Sequence, residues 1–159
     1  MTQLEVNRIL EVLHSKDWSE HYIIQDSDLK KNIWFYINSI PEFSFVKDII
    51  DRDLKNTNTD LKCSDWLTLL IYQKDDFFGL HTDDYENAKE KILFSGGYLL
   101  NSDYEGGEFI ISGEKLDAAT GELFMFGRKQ EHEVKPLKNG IRYSLHFAIK
   151  LENNNKTLI

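Results

Sequence analysis

The chain has 159 residues, 41% hydrophobic and 29% charged, with nine Gly and two Pro. That composition describes a globular chain long enough to bury a sizeable core, and it excludes disordered, collagenous and low-complexity classes. Nineteen Lys and Arg against 27 Asp and Glu leave a net charge of −8, a sign that disfavours a phosphate backbone and makes nucleic acid an unexpected partner.

The first elements read as helical. Val6, Ile9, Leu10 and Leu13 recur at the spacing of one helix face, with Thr2 placed as N-cap. Residues 26–40 have mixed spacing and are read as a further helical stretch, interrupted by Pro41. A second clear helical face runs over residues 45–54, with Val46, Ile49 and Ile50 on one side. The polar loop Asn56-Thr57-Asn58-Thr59-Asp60 then divides a helical N-terminal support (1–60) from a different texture. From about residue 65 the chain reads as short strands at 66–73, 80–83, 92–100, 107–112, 122–127, 132–136 and 142–150, rich in Val, Ile, Phe and Tyr. Seven such strands predict a mainly β fold, a sandwich or jelly roll over 65–150, with the helices covering one sheet from outside in a single domain. The polar tail at 152–156 is expected to fray.

One cysteine, Cys63, allows no internal disulfide, and the first five residues carry no basic or apolar leader. The longest strongly apolar run, residues 66–72, is far below the ~20 residues of a membrane span. A cytoplasmic, reducing setting with no membrane contact is the expectation.

Chemistry concentrates in the β-rich part. On a strand, His81 and Asp83 project to one side, which supplies two thirds of a facial 2-His-1-carboxylate site suited to Fe(II). Spacing alone fits a surface histidine beside a solvated acid better than it fits a ligand pair. A third ligand is available fifty-one residues downstream at His132. Arg142 and Ser144 share the next strand's face, while Tyr143, Leu145 and Phe147 take the other, so the arginine points inward and needs an anion. A guanidinium fork beside a hydroxyl suits a carboxylate. His146 should also face inward, to touch cosubstrate or water or to sit satisfied in the core.

Four segments in this order resemble the 2-oxoglutarate/Fe(II)-dependent dioxygenases, in their prolyl 4-hydroxylase-like branch. They are residues 72–83, which end in His81-Thr82-Asp83, and residues 99–109, which contain Gly106-Gly107. The others are residues 121–126 leading to His132, and Gly140-Ile141-Arg142-Tyr143-Ser144. The resemblance implies a double-stranded β-helix core in which His81, Asp83 and His132 ligate Fe(II). It implies that Arg142, with Ser144, holds the distal carboxylate of 2-oxoglutarate, and that Tyr72 reaches into the same pocket. O2 would be the second cosubstrate and ascorbate a candidate reductant. The implied reaction hydroxylates an unactivated C–H bond of an amino acid, a peptidyl residue or a related small molecule, releasing succinate and CO2. Halogenases of this group lack the carboxylate ligand, so Asp83 favours hydroxylation.

One position departs from the family. Relatives often carry a cosubstrate-binding tyrosine where this chain has Leu99, and Tyr98 would face the opposite way, which leaves Ser144 or Tyr72 to supply that bond. Two other readings compete: a non-catalytic jelly-roll binding module, and a nucleic-acid demethylase of the same superfamily. A module has no reason to keep three ligands and Arg142 together. The demethylase pattern has a second arginine six residues after the first, where this chain has Ala148.

Remaining features read as structural. Gly106-Gly107 suits a tight turn. Of Phe77 and Phe78, one should fill core and one line the pocket rim. Trp18, Trp34 and Trp66 read as packing, and Asp75-Asp76 and Asp83-Asp84 as a solvated rim. The sequon Asn155-Lys156-Thr157 carries no weight without secretion.

Overall fold

A computed structural model describes residues 1–83 and 91–152. Helix α1 (Gln3–His14) begins where expected. Thr2 Oγ1 accepts from Glu5 N at 3.1 Å and Glu5 Oε1 accepts from Thr2 N at 2.8 Å, a reciprocal capping box. Helix α2 (Phe45–Thr57) carries Val46, Ile49, Ile50 and Leu54 on its buried side. No helix among the described residues is long and apolar enough to cross a membrane.

The strands are β1 (Ile23–Asp26), β2 (Lys30–Tyr36), β3 (Leu61–Tyr72), β4 (Phe77–His81), β5 (Ile92–Leu99), β6 (Glu105–Gly106), β7 (Phe109–Ile111), β8 (Glu114–Lys115), β9 (Phe124–Gly127), β10 (His132–Val134), β11 (Leu137–Asn139) and β12 (Arg142–Leu151). β1 and β2 correct the helical reading of residues 26–40. That stretch is a hairpin arm whose turn is closed by Ser27 N donating to Lys30 O at 2.9 Å. Ile33, Trp34, Phe35, Tyr36 and Ile37 are β-branched or aromatic, and their period-two burial buries Phe35 and Ile37 fully. The N-terminal third is therefore part helix and part sheet.

The main sheet is antiparallel, in the order β8-β7-β10-β4-β2-β3-β12-β5-β9, with β1 added beside β2. It curls on itself. Strands β7 and β10 stand far from β9 in that order, yet the Phe109 and Phe124 rings approach to 5.4 Å and Phe126 and His132 to 4.5 Å. This is the expected jelly-roll form.

Strand periodicity separates two environments. Leu67, Leu69 and Ile71 of β3 and Leu145, Phe147 and Ile149 of β12 are buried in a core shared with α1 and α2. Tyr98 belongs to this side and donates its hydroxyl to Asp53 Oδ2 at 2.7 Å. The alternate residues Thr68, Leu70 and Tyr72 of β3, and Arg142, Ser144 and His146 of β12, line an interior cavity. The register Arg142↔Tyr72, Ser144↔Leu70, His146↔Thr68 sets these side chains in facing rows.

Gly106 and Gly107 adopt φ of 75° and 64°, the left-handed turn expected of them. Two structural readings need correction. Asp76 is buried rather than solvated, because its Oδ2 accepts from Gln73 N at 2.8 Å and closes the β3–β4 turn. Trp18 is core, as expected, but Trp34 and Trp66 line the cavity. Asp84, most of the tail and the Asn155 sequon lie outside the described residues.

Candidate active site

The cavity has a volume of about 350 Å³. His81 closes β4, His132 opens β10, and the two residues are register partners. Asp83 lies two residues past His81, beyond the end of β4, and its carboxylate still reaches both imidazoles. Asp83 Oδ1 is 3.2 Å from His132 Nε2 and 3.6 Å from His81 Nε2. One donor atom from each residue falls within 4.8 Å of the others.

The tautomers follow from the outer hydrogen bonds. His81 Nδ1 lies 2.7 Å from Gly79 O and His132 Nδ1 lies 3.0 Å from Gln130 O. A carbonyl only accepts, so each Nδ1 donates outward and each Nε2 is the atom turned toward Asp83, the one a cation would take. Two such nitrogens and a carboxylate oxygen gathered in one place suit a divalent cation, with the carbonyls as orienting partners. The Phe78 ring stacks on His81 at 3.6 Å and 7°, which fixes the imidazole plane.

The other oxygen of Asp83 is held separately. Ser95 Oγ donates to Asp83 Oδ2 at 2.5 Å, and His146 Nε2 lies 3.3 Å from the same atom. Burial opposes ionisation of Asp83, but hydrogen bonds with His132, His146 and His81 outweigh it and hold the carboxyl far below the usual range. It is a carboxylate at any working pH. His146 thus faces inward as expected, where it meets the aspartate and lines the cavity.

Deeper along β12, Arg142 is 2% exposed. Its Nη1 donates to Ser144 Oγ at 3.1 Å, its guanidinium carbon sits 5.1 Å over the Tyr72 ring, and its Nε is buried without a partner. Among the described residues no carboxylate pairs with it. A buried, unpaired guanidinium is costly unless an anion reaches it, and the cavity gives that anion a route. Tyr72 is buried beside it. Desolvation raises the phenol's pKa against the opposing Arg142 charge and Asn32 amide, so it stays a neutral donor. Leu99 offers no hydroxyl, as its sequence position implied, and Tyr98 is engaged by Asp53 on the other face.

Sequence reasoning missed Ser95, Asn32 and Lys30. Asn32 is 2% exposed, and its amide bears on the Tyr72 phenol without reaching full hydrogen-bond geometry. Lys30 and Asn32 would have stood out had residues 30–36 been read as a strand, since Lys30, Asn32, Trp34 and Tyr36 then share one face. Nothing local marks Ser95, which meets Asp83 only through the folded sheet.

The fold resembles that of solved oxygenases. A Pseudomonas putida prolyl-4-hydroxylase superposes with a TM-score of 0.70 at 16% identity, covering 96% of this chain and 89% of that one. A Trichoplax adhaerens prolyl hydroxylase, solved with a peptide fragment of the hypoxia inducible factor oxygen degradation domain, gives a TM-score of 0.69 at 14% identity, covering 91% and 77%. In sequence, a PKHD-type hydroxylase of Pseudomonas putida (strain W619) is 28% identical over 167 residues, spanning 90% of this chain and 72% of that protein. Residues 67–150, over half of the chain and the span that holds both histidines, Asp83 and Arg142, match the family model of the 2OG-Fe(II) oxygenase superfamily. The chain therefore belongs to the 2OG-Fe(II) oxygenase superfamily, enzymes that work with Fe(II), 2-oxoglutarate and O2.

Proposed function

We propose that His81, Asp83 and His132 hold the Fe(II) of this hydroxylase, and that Arg142, with Ser144 and Tyr72, holds the distal carboxylate of 2-oxoglutarate. The substrate is an amino acid, a peptide or a related small molecule. One observation carries this reading: a three-donor cluster for a cation and a buried, unpaired arginine open into the same cavity. Bound iron and cosubstrate supply the oxidising chemistry, in which 2-oxoglutarate, O2 and R–H give succinate, CO2 and R–OH.

The chain's own residues perform the rest. Gly79 and Gln130 carbonyls hold the Nδ1 atoms and so aim both Nε2 atoms into the cluster, and Ser95 and His146 keep Asp83 turned toward them. Arg142 and the cluster line the same cavity, so together they would favour a molecule that carries a carboxylate besides its metal-binding end. Phe78, Phe109, Phe124 and Val134 line the walls and exclude water. A cavity of about 350 Å³ is at the small end of ligand pockets, which favours a small substrate or a single side chain of a peptide.

Anaerobic addition of Fe(II) and then 2-oxoglutarate should produce a weak visible charge-transfer band, and exposure to air should yield succinate. His81→Ala and His132→Ala are expected to lose both signals. Arg142→Ala should keep the metal and raise the 2-oxoglutarate requirement at least tenfold, since a buried charge pair is worth ~2–5 kcal/mol. Turnover like that of the wild type in any of the three would sink the assignment.

A further inference from the structure

The cavity holds a second cation that the cosubstrate does not need. Lys30, Trp34 and Tyr36, on one face of β2, line its wall together with Trp66 and Thr68 of β3. Lys30 Nζ sits 4.4 Å over the Phe78 ring and 5.0 Å over the Trp34 ring. Ring faces attract the charge but leave its N–H donors unused. Among the described residues no carboxylate forms an ion pair with it. Asp83 acts on it only at longer range, and that charge is committed to the histidine cluster. In the same wall the Trp34 indole Nε1 is buried without an acceptor. Both groups can only donate. Burial also makes the ammonium form of Lys30 unfavourable, a cost the fold itself leaves unanswered.

We infer that Lys30 and the Trp34 indole N–H form an anion subsite for a carboxylate on the molecule to be hydroxylated, with Tyr36 and Trp66 as the outer aromatic wall. The inference rests on the oxygenase reading of the site and adds the substrate's chemical class, a carboxylic acid. A single ammonium beside a single N–H donor matches a monoanion such as the terminal carboxylate of an amino acid or peptide. Tyr36 and Trp66 are 45% and 44% exposed, so the wall reaches the mouth, where the remainder of a longer ligand would emerge. Arg142 lies on β12, two strands away in the sheet order, so one dicarboxylate filling the Arg142 end leaves the Lys30 wall to another molecule.

Calorimetry on enzyme loaded with Zn(II) and 2-oxoglutarate, which cannot turn over, provides the test. The probes are N-acetyl amino acids and their carboxamides, in matched pairs. At least one acid should bind at least tenfold more tightly than its amide. Lys30→Met should remove that preference and Lys30→Arg should keep most of it, with the 2-oxoglutarate affinity of both within threefold of wild type. Trp34→Phe should weaken the acid several-fold. Equal behaviour of acids and amides across the panel overturns the subsite, as does a Lys30→Met enzyme that loses 2-oxoglutarate instead. A wild-type protein that discriminates acids through Lys30 but never binds 2-oxoglutarate would leave the subsite standing and remove the oxygenase assignment beneath it.

Discussion

Removing the Ser95 hydroxyl should loosen the metal without unfolding the sheet. Asp83 lies two residues beyond the end of β4. Its orientation depends on side chains: Ser95 Oγ at 2.5 Å and His146 Nε2 at 3.3 Å grip Oδ2, which turns Oδ1 toward the two imidazoles. Ser95 is fully buried in β5, so in Ser95→Ala only His146 of that pair keeps its hold on Oδ2. A hydrogen bond to a charged group contributes ~1.5–3 kcal/mol. At ~1.4 kcal/mol per factor of ten, the dissociation constant for a divalent metal should rise about 10- to 100-fold, the usual range for an orienting partner behind a ligand. Anaerobic titration with Co(II), followed through its visible absorption, measures that constant, and urea unfolding of the metal-free protein separates a loosened site from a loosened fold. A Co(II) constant within twofold of wild type would refute the argument that Ser95 positions Asp83.

Two further perturbations read the surrounding fold. Lys30 has its pKa lowered by burial from 10.5 to about 8, so the unfolded chain binds the extra proton between those values and stability should climb across that window. Below pH 8 the full penalty applies, and ~3 kcal/mol of differential solvation, discounted for partial exposure, leaves about 1–2 kcal/mol. Metal-free Lys30→Met should be more stable than wild type by that amount at pH 7, with the gain shrinking as pH rises from 8 to 10.5; a pH-independent difference in urea midpoints would contradict this. Gly97 in β5 admits no side chain, since an added Cβ would come within 2.6 Å of Leu145 O and of the Phe124 ring. Gly97→Ala should cost ~1–3 kcal/mol by overpacking and displace Phe124 from the cavity wall, and an unchanged melting temperature would show that the strands can part there.

The chemistry-bearing residues were legible because each stands out from its surroundings. Arg142 opens a strand that otherwise reads as largely apolar, and an inward arginine declares its need for an anion. The failures have a common cause in what spacing omits. The spacing places His81 and Asp83 on one strand over 80–83, whereas β4 ends at His81 and Asp83 meets it from the residues that follow. The stretch 26–40 was misread because Asp28, Lys30, Lys31 and Asn32 blur the alternation that Ile33 to Ile37 state clearly, and burial of Phe35 and Ile37 settles the competition in favour of strand. Ser95 and His146 reach Asp83 across 12 and 63 residues of sequence, contacts that exist only once the sheet curls.

The division between core and cavity makes site and stability one problem in this fold. On β3 and β12 every second residue packs against the helices and every other one faces the cavity, so a shift of register by one residue would exchange Leu145 for Ser144 and send Arg142 toward the apolar core. The register is held by the large side chains of the core face, Phe147, Leu69 and Ile71 among them, more than by anything in the site. The irregularity between Phe147 and Ile149 is the one place where β12 slips against β3, and it falls beyond His146, on the side away from Arg142. Both histidines of the cluster and the arginine therefore stand on paired strand positions, while Asp83 lies beyond β4 and is gripped by the Ser95 and His146 side chains. Substitutions behind Asp83 should change metal affinity with little effect on folding, whereas substitutions behind Arg142 should change both together.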